Sequence, residues 1–258
     1  MDEKGFGDYT FGLIGYPLEH SFSQRFLNEL FAADGSGRSY GNFPLPQLTP
    51  QALYSVLLLN PKLRGFNVTS PYKRQIIDFL DSVSPEAQAV RAVNTVVVRR
   101  DATGRILGLD GFNTDIPGFV GAIQPLLRPN DRKALVLGTG GASDAAVEGL
   151  RQFGIEAQKV SRRKAAGVLT YEELMPEIVA DHSVIVNATP AGMYPDVDAF
   201  PPFPVETLGP EHLCFDMIYN PPQTVFLREA QRRGARTSNG LAMLHGQALE
   251  ALKIWESH

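Results

Sequence analysis

Ala134-Leu135-Val136-Leu137-Gly138-Thr139-Gly140-Gly141-Ala142-Ser143 is the stretch on which the fold turns. Its first five residues form an unbroken apolar run that ends on glycine, the pattern of a strand covered on both faces. Ala145, Ala146, Val147, Leu150 and Phe153 continue at helical spacing, and Gly154 supplies the stop. Where a strand turns through glycines into a helix, the backbone can approach a pyrophosphate, which the free N–H groups and dipole of the helix stabilise. The six-position glycine fingerprint is incomplete, because the pattern runs on through Ser143 to Asp144 without its last glycine. On the glycines alone, a tight strand-to-helix turn and a dinucleotide turn are equally good readings. The next strand, residues 155–160, decides between them. It ends in Ser161-Arg162-Arg163-Lys164, where an NAD site carries an acid for the ribose hydroxyls. A solvated basic turn is the plain alternative. The position nevertheless favours NADP, with Arg162 best placed for planar contact with a 2′-phosphate. Asp144 puts a carboxylate near the expected pyrophosphate, unless it caps the helix instead.

Working outward, the second half alternates strands and helices. A helix is expected over 117–127 and another over 171–180, with strands over 183–188 and 214–219. Such alternation predicts a parallel sheet with helices on its faces. The proline- and aspartate-rich stretch 194–210 reads as an irregular surface loop. Leu241, Leu244, Ala248, Leu252 and Trp255 mark a last helix with one buried face. The first half reads as a second α/β block. Strands are expected over 11–15, 40–45 and 65–69, and a helix over 23–33 carries Phe26, Leu27, Leu30 and Phe31. Ser70-Pro71 has the N-cap and first-turn signature of a helix start. Residues 92–100 and 106–109 read as strands joined by a turn at 101–104.

The composition excludes several classes. A chain of 258 residues, 43% hydrophobic and 20% charged, can bury a core without disulfides or metals. Its net charge of −4 gives no general attraction to nucleic acid or to an acidic membrane, so an anion must be held by a local cluster. The single cysteine, Cys214, sits in an apolar run and reads as a buried small hydrophobe. It also suits a reducing compartment. No export signal follows Met1, and no apolar run is long enough to span a bilayer, so a cytoplasmic protein is expected. The histidines His20, His182, His212, His245 and His258 lack ligand spacing, so no metal is expected. His20 is read as making a structural hydrogen bond.

Several motifs occur in a characteristic order. They are 15–23 (Gly-Tyr-Pro-Leu-Glu-His-Ser-Phe-Ser), 67–73 (Asn-Val-Thr-Ser-Pro-Tyr-Lys), 92–95 (Ala-Val-Asn-Thr) and 113–115 (Asn-Thr-Asp). After the glycine turn come 187–193 (Asn-Ala-Thr-Pro-Ala-Gly-Met), 216–221 (Asp-Met-Ile-Tyr-Asn-Pro) and 239–244 (Asn-Gly-Leu-Ala-Met-Leu). Over essentially its whole length the chain resembles the shikimate dehydrogenase family, whose enzymes reduce 3-dehydroshikimate to shikimate with NADPH. The resemblance implies an α/β protein of two α/β domains. A substrate-binding and catalytic domain spans 1–115, and a Rossmann-like NADP-binding domain spans 116–237. The final helix, within 238–258, returns to pack on the first domain, and the reaction takes place in a cleft between the domains.

By the same resemblance Lys73 and Asp115 are the catalytic pair. A carbonyl reduction needs a proton donor beside the oxygen that gains charge. A lysine in the first turn of a helix from Ser70-Pro71 meets the positive end of its dipole, which disfavours ammonium. An exposed helix lysine is the ordinary alternative. Ser21, Ser23, Thr69, Asn94 and Gln247 match substrate-binding positions, and Asn67 and Tyr219 match residues lining the same cleft. A cap is the alternative use for Ser23 and a turn for Asn94. Gln247 shares a helix face with Met243. Gly138, Gly140, Gly141, Ala142, Ser161, Arg162, Arg163 and Thr189 match the cofactor site, with Met217, Gly240 and Met243 near the nicotinamide. Core packing is the alternative for both methionines. The chain departs from the family pattern at Phe112, Ile116, Asp144, Ser161 and Arg163. Rival readings are a quinate/shikimate dehydrogenase paralogue using NAD or NADP, a methylene-tetrahydrofolate dehydrogenase and a non-catalytic metabolite sensor. The sensor would have lost the Lys73–Asp115 pair. The oligomeric state expected is monomer or homodimer.

Overall fold

The computed structural model describes residues 10–19 and 21–258, so His20 and the segment after Met1 lie outside the described residues. The chain divides into two compact units, one of 1–114 with 248–258 and the other of 115–247.

In the first unit, β1 (Phe11–Gly15) is buried throughout because both of its faces are covered. Ile14 packs to one side with Leu57, Phe66 and Val96, while Phe11 and Leu13 pack to the other with Leu27 and Trp255. Helix α1 (Phe22–Asp34) presents Leu27 and Phe31 to that second face and ends at left-handed Gly35. After β2 (Tyr40–Pro44) comes α2 (Pro50–Leu59), opened by Thr49, whose hydroxyl accepts from Ala52 N at 3.1 Å. The sequence reading passed over this helix, although a threonine cap followed by proline is a start signal. It also passed over the short β4 (Ser82–Val83) and α3 (Pro85–Val90) between β3 (Gly65–Val68) and β5 (Thr95–Arg100). With β6 (Ile106–Phe112) the strand order is β2-β1-β3-β5-β6-β4, and β5 runs antiparallel to both β3 and β6.

No helix starts at Ser70-Pro71, which corrects the reading given above. The Ser70-Pro71 peptide is cis, and residues 70–74 make turns before a 3-10 turn at Gln75–Phe79. The physical reason lies in the hydrogen bonds. Lys73 O accepts from Val93 N at 2.7 Å, across to the segment before β5, and so takes no part in a helical ladder. Tyr72 is buried, and its hydroxyl donates to Leu45 O at 2.6 Å, which pins the turn.

The second unit opens with α4 (Asp115–Ile123) and then β7 (Lys133–Leu137), the apolar run quoted at the outset. Its side chains alternate, Leu135 and Leu137 to one core and Ala134 and Val136 to the other. That alternation is why the strand reads as continuously apolar. Helix α5 (Gly141–Arg151), β8 (Glu156–Ser161), β9 (Val168–Thr170), α6 (Pro176–Ala180) and β10 (Val184–Asn187) follow. The helix expected over 171–180 is interrupted. Thr170 and Glu173 close a capping box on a single 3-10 turn, and Pro176, with no N–H, begins α6 as a new helix. β11 (Leu213–Asp216), α7 (Val225–Arg232) and β12 (Arg236–Ser238) complete a six-stranded sheet in the order β12-β11-β10-β7-β8-β9, with every pairing parallel. This is the doubly wound arrangement, in which strand order reverses between β7 and β10. Residues 194–210 are irregular as expected but not wholly superficial, since Phe203, Val205 and Leu208 are buried in the core.

Helix α8 (Leu241–Ser257) contributes Met243 to the second unit's core and Ala248, Ala251, Leu252 and Trp255 to the first unit's. Leu241, expected on the buried face, is exposed. Trp255 stacks on Phe11 at 4.5 Å, and its indole N–H donates to Val96 O at 2.9 Å. Gly65 makes room for that ring, because a Cβ there would lie 2.2 Å from Trp255 Nε1.

Candidate functional site

At the carboxyl edge of the second unit's sheet, β7 is followed by Gly138 with φ +118, a conformation that side chains rarely adopt. Gly138 N donates to Val160 O at 2.8 Å, and a Cβ would lie 3.1 Å from Ala188 O. Gly138 therefore sits in the space between the ends of β7 and β10. Ser143 Oγ donates to Gly138 O at 2.8 Å and closes the turn from below. Gly140 is the N-cap of α5 with no side-chain cap, and a Cβ there would meet nothing within 4 Å. The first N–H groups of the helix, at Gly141, Ala142 and Ser143, have no acceptor within the helix. A pyrophosphate fits such a place.

The Asp144 carboxylate accepts from Lys159 on β8, which offsets the charge that the sequence placed near the pyrophosphate. Beyond β8, which ends with Ser161, Arg162 and Arg163 are exposed, and Arg163 N donates to Ser161 Oγ at 3.3 Å. Lys164 is committed to Glu173. Arg162 makes no ion pair among the described residues. Its charge is felt by Tyr171, whose phenol burial pushes up to about 12 while Arg162 opposes the shift.

At the end of β10, Thr189 Oγ1 donates to Asn187 Oδ1 at 2.7 Å. Met217 is half-buried just past β11, and its N–H donates to Asn187 O at 2.9 Å. Gly240 lies so close that a Cβ would stand 2.1 Å from Met217 O. These hydrogen bonds and this close approach bring Thr189, Met217 and Gly240 to one edge. Met243 is buried and packs with Phe119 and Phe215. Gln247 Nε2 donates back to Leu244 O at 3.1 Å, and Tyr219 is half-buried. Asp115 is the first residue of α4 and is 6% exposed.

In the first unit, Ser21 is the N-cap of α1, but its side chain makes no cap hydrogen bond. Ser23 lies inside the helix and does not cap it. Thr69 follows β3, its N–H donating to Ile14 O at 2.9 Å, and Lys73 is half-buried in the turn beyond. Without a helix at Ser70, the dipole argument for Lys73 falls away.

Asn67 and Asn94 come together in a buried polar network that sequence reasoning missed in part. Asn67 Nδ2 donates to Asn94 O at 3.1 Å and to Thr95 Oγ1 at 3.0 Å, and Tyr40 OH donates to Asn67 Oδ1 at 2.8 Å. Asn94 Oδ1 accepts from Thr114 N at 2.7 Å. The turn reading of Asn94 thus yields to a tie between two motifs, 92–95 and 113–115. Tyr40 is wholly buried, and burial pushes its phenol well above 10, so it remains a neutral donor. No local pattern marks Tyr40, because its partner lies 27 residues away.

Cys214 is buried, and burial together with the charge of Asp216 pushes its thiol up to about 12, which suits packing and not nucleophilic attack. Among the described residues no group of three His, Cys, Asp or Glu is placed to hold a metal, and no helix is long and apolar enough to cross a membrane.

Comparison with known proteins adds to this geometry. Residues 13–96 match the family model of the shikimate dehydrogenase substrate binding domain. A relative from Desulforamulus reducens named shikimate dehydrogenase (NADP(+)) is 37% identical over 265 residues, spanning 95% of this chain and 88% of its own. The crystal structure of shikimate 5-dehydrogenase from Thermus thermophilus, in complex with NADP(H) and shikimate, superposes with a TM-score of 0.80. It is 35% identical, over 97% of this chain and 94% of that one. Quinate dehydrogenase from Corynebacterium glutamicum in complex with NAD gives a TM-score of 0.83 at 27% identity, over 98% and 95%.

Proposed function

The chain belongs to the shikimate dehydrogenase family, and from that premise we propose that it catalyses the reversible, NADPH-dependent reduction of 3-dehydroshikimate to shikimate. One observation carries the cofactor half. Where strand order reverses, the parallel sheet ends in an open glycine turn and an uncapped helix N-terminus. Exposed Arg162 stands on the adjoining strand end. Gly138, Gly140, Gly141 and Ala142 would hold the pyrophosphate. Ser161, Arg162 and Arg163 would hold the 2′-phosphate, and Thr189, Met217, Gly240 and Met243 the nicotinamide end. When bound, NADPH supplies the hydride.

The chain's own part is to orient the substrate and to move a proton. Lys73 donates to the substrate oxygen that gains charge, and Asp115 serves as its partner in the catalytic pair. Ser21, Ser23, Thr69, Asn94, Tyr219 and Gln247 bind or line the substrate. Asn67 acts from behind them, since both of its amide hydrogens are committed to Asn94 O and Thr95 Oγ1. We assign the unit of 1–114 with 248–258 to the substrate-binding and catalytic domain and the unit of 115–247 to the NADP domain, which moves 238–247, expected with the first domain, to the second. We further assign the enzyme to the cytoplasm, as a monomer or homodimer without nucleic-acid or membrane partners.

The test is a set of initial rates with shikimate and quinate, each with NADP and NAD. Shikimate with NADP is expected to give the highest kcat/KM, and quinate with NAD equalling it would reject the reading. In Lys73→Ala, turnover should fall by about 10²–10⁴-fold while shikimate still binds. Unchanged turnover removes Lys73 from the chemistry.

A further inference from the structure

Two fully buried side chains, Asn187 and Asp216, neither of which has a role in the reading above, hold the segments that carry Thr189 and Ile218, and Met217 and Gly240 are tied to the backbone of Asn187 and Ile218. Asp216 accepts three. Asn187 Nδ2 and Ile218 N each reach Oδ1 at 3.0 Å, and Thr224 Oγ1 reaches Oδ2 at 2.6 Å. Asn187 Oδ1 in turn accepts from Thr189 N at 3.1 Å and Thr189 Oγ1 at 2.7 Å, and Ala191 N donates to Thr189 Oγ1 at 3.3 Å. Met217 N binds Asn187 O at 2.9 Å, and Gly240 N binds Ile218 O at 3.0 Å.

An ionised carboxylate can only accept hydrogen bonds. Facing Asp216, the Asn187 amide must present its NH₂, so its oxygen must face Thr189. The hydroxyl hydrogen of Thr189 is then spent on Asn187, which leaves that hydroxyl only able to accept. The ends of β10 and β11 and the N-cap of α7 are thereby fixed by one carboxylate.

We infer that Asp216 and Asn187 form a positioning pair for the nicotinamide end of the cofactor, Asp216 acting through the orientation it imposes on Asn187. The inference rests on the NADP reading of the second unit. Among the described residues no charged partner offsets the burial of Asp216. Its stabilising contacts are the hydroxyl of Thr224, the N–H of Ile218 and the amide of Asn187, and burial raises it to about 6. The Cys214 thiol, on the same strand, senses its charge.

The test is calorimetric titration of the full-length protein with NADP, at pH 6 and pH 8.5, beside thermal melts. Asn187→Asp sets two carboxylates against each other. At the lower pH a shared proton can replace the lost amide hydrogen, but at the higher pH it cannot. The Kd of Asn187→Asp is expected within about threefold of wild type at pH 6 and at least about tenfold above it at pH 8.5. The exchange Asn187→Asp/Asp216→Asn restores an amide against a carboxylate and should recover most of that loss at pH 8.5. A Kd ratio to wild type that does not change with pH, or an exchange that recovers nothing, overturns the inference. If Asn187→Asp does not fold at pH 8.5, Asn187→Leu gives up the same hydrogen bonds without adding charge. An unchanged Kd in that folded variant also overturns the inference. Wild-type protein that fails to bind NADP would reject the cofactor reading instead, so the two failures are distinct.

Discussion

Gly240→Ala is the perturbation whose outcome the structure fixes most closely. A Cβ at residue 240 would stand 2.1 Å from Met217 O, 2.5 Å from its carbonyl carbon and 3.0 Å from its Cα. All three atoms are backbone, so no side-chain rotation relieves the clash. Gly240 N is also tied to Ile218 O at 3.0 Å, so the two segments must part while that bond stretches. Overpacking of this kind costs about 1–3 kcal/mol. The movement falls on the segments that carry Met217 and Gly240, so NADP affinity should fall as well. Gly121→Ala is the control within the same unit. Gly121 is exposed in α4, and a Cβ there meets nothing within 4 Å. Removing a helix glycine should stabilise by about 0.5–1 kcal/mol. Urea unfolding and thermal melts read the stabilities, and calorimetry reads the NADP Kd. The same chemical change should therefore move stability in opposite directions at the two sites. The reasoning is refuted if Gly240→Ala melts with the wild type at unchanged Kd, or if Gly121→Ala is the less stable protein.

Three further outcomes follow from individual contacts. Arg162→Ala should raise the NADP Kd by about tenfold and leave the NAD Kd within about twofold, because the 2′-phosphate is what distinguishes them; equal losses would remove Arg162 from that role. Tyr40→Phe leaves Asn67 Oδ1 without its buried donor and should cost about 1–3 kcal/mol in urea unfolding, with a raised KM for shikimate and little change in kcat. Unchanged stability and KM together would contradict the network. Asp216 is raised by burial to about 6 from an ordinary 3.8, so between those values the folded protein binds the proton that the unfolded chain releases. Its contribution to stability is present below about pH 4 and is lost as pH rises toward 6, roughly 3 kcal/mol in all. Asp216→Asn should remove that component, so the wild type should lose stability relative to the variant over this window; a constant difference would refute the shift.

Much of the fold was legible because its signals are local. The β7 run, the glycines after it and the helical spacing through Phe153 lie within one window, and a strand buried on both faces needs no other context to declare itself. Other parts misled for equally physical reasons. Ser70-Pro71 carries a helix-start signature, but Val93 N claims the Lys73 carbonyl, and the turn stays a turn. Residues 171–180 have helical composition, but Pro176 cannot donate within a helix and starts a new one. Thr49-Pro50 carries the start signal of α2 within two residues.

For the site, the sequence by itself determined the residue types and their order: the glycine turn, the basic end of the following strand and the lysine and aspartate motifs. These are properties of short windows, set by backbone conformation and charge. Only the tertiary structure decided which polar groups are spent on one another. Tyr40 reaches Asn67, Asn94 reaches Thr114, Lys159 takes up the awkward charge of Asp144, and Asp216 turns the Asn187 amide. Each of these contacts joins residues 15 to 29 positions apart. A hydrogen bond depends on where two atoms end up in space, and sheet order and strand register bring such distant residues to one edge.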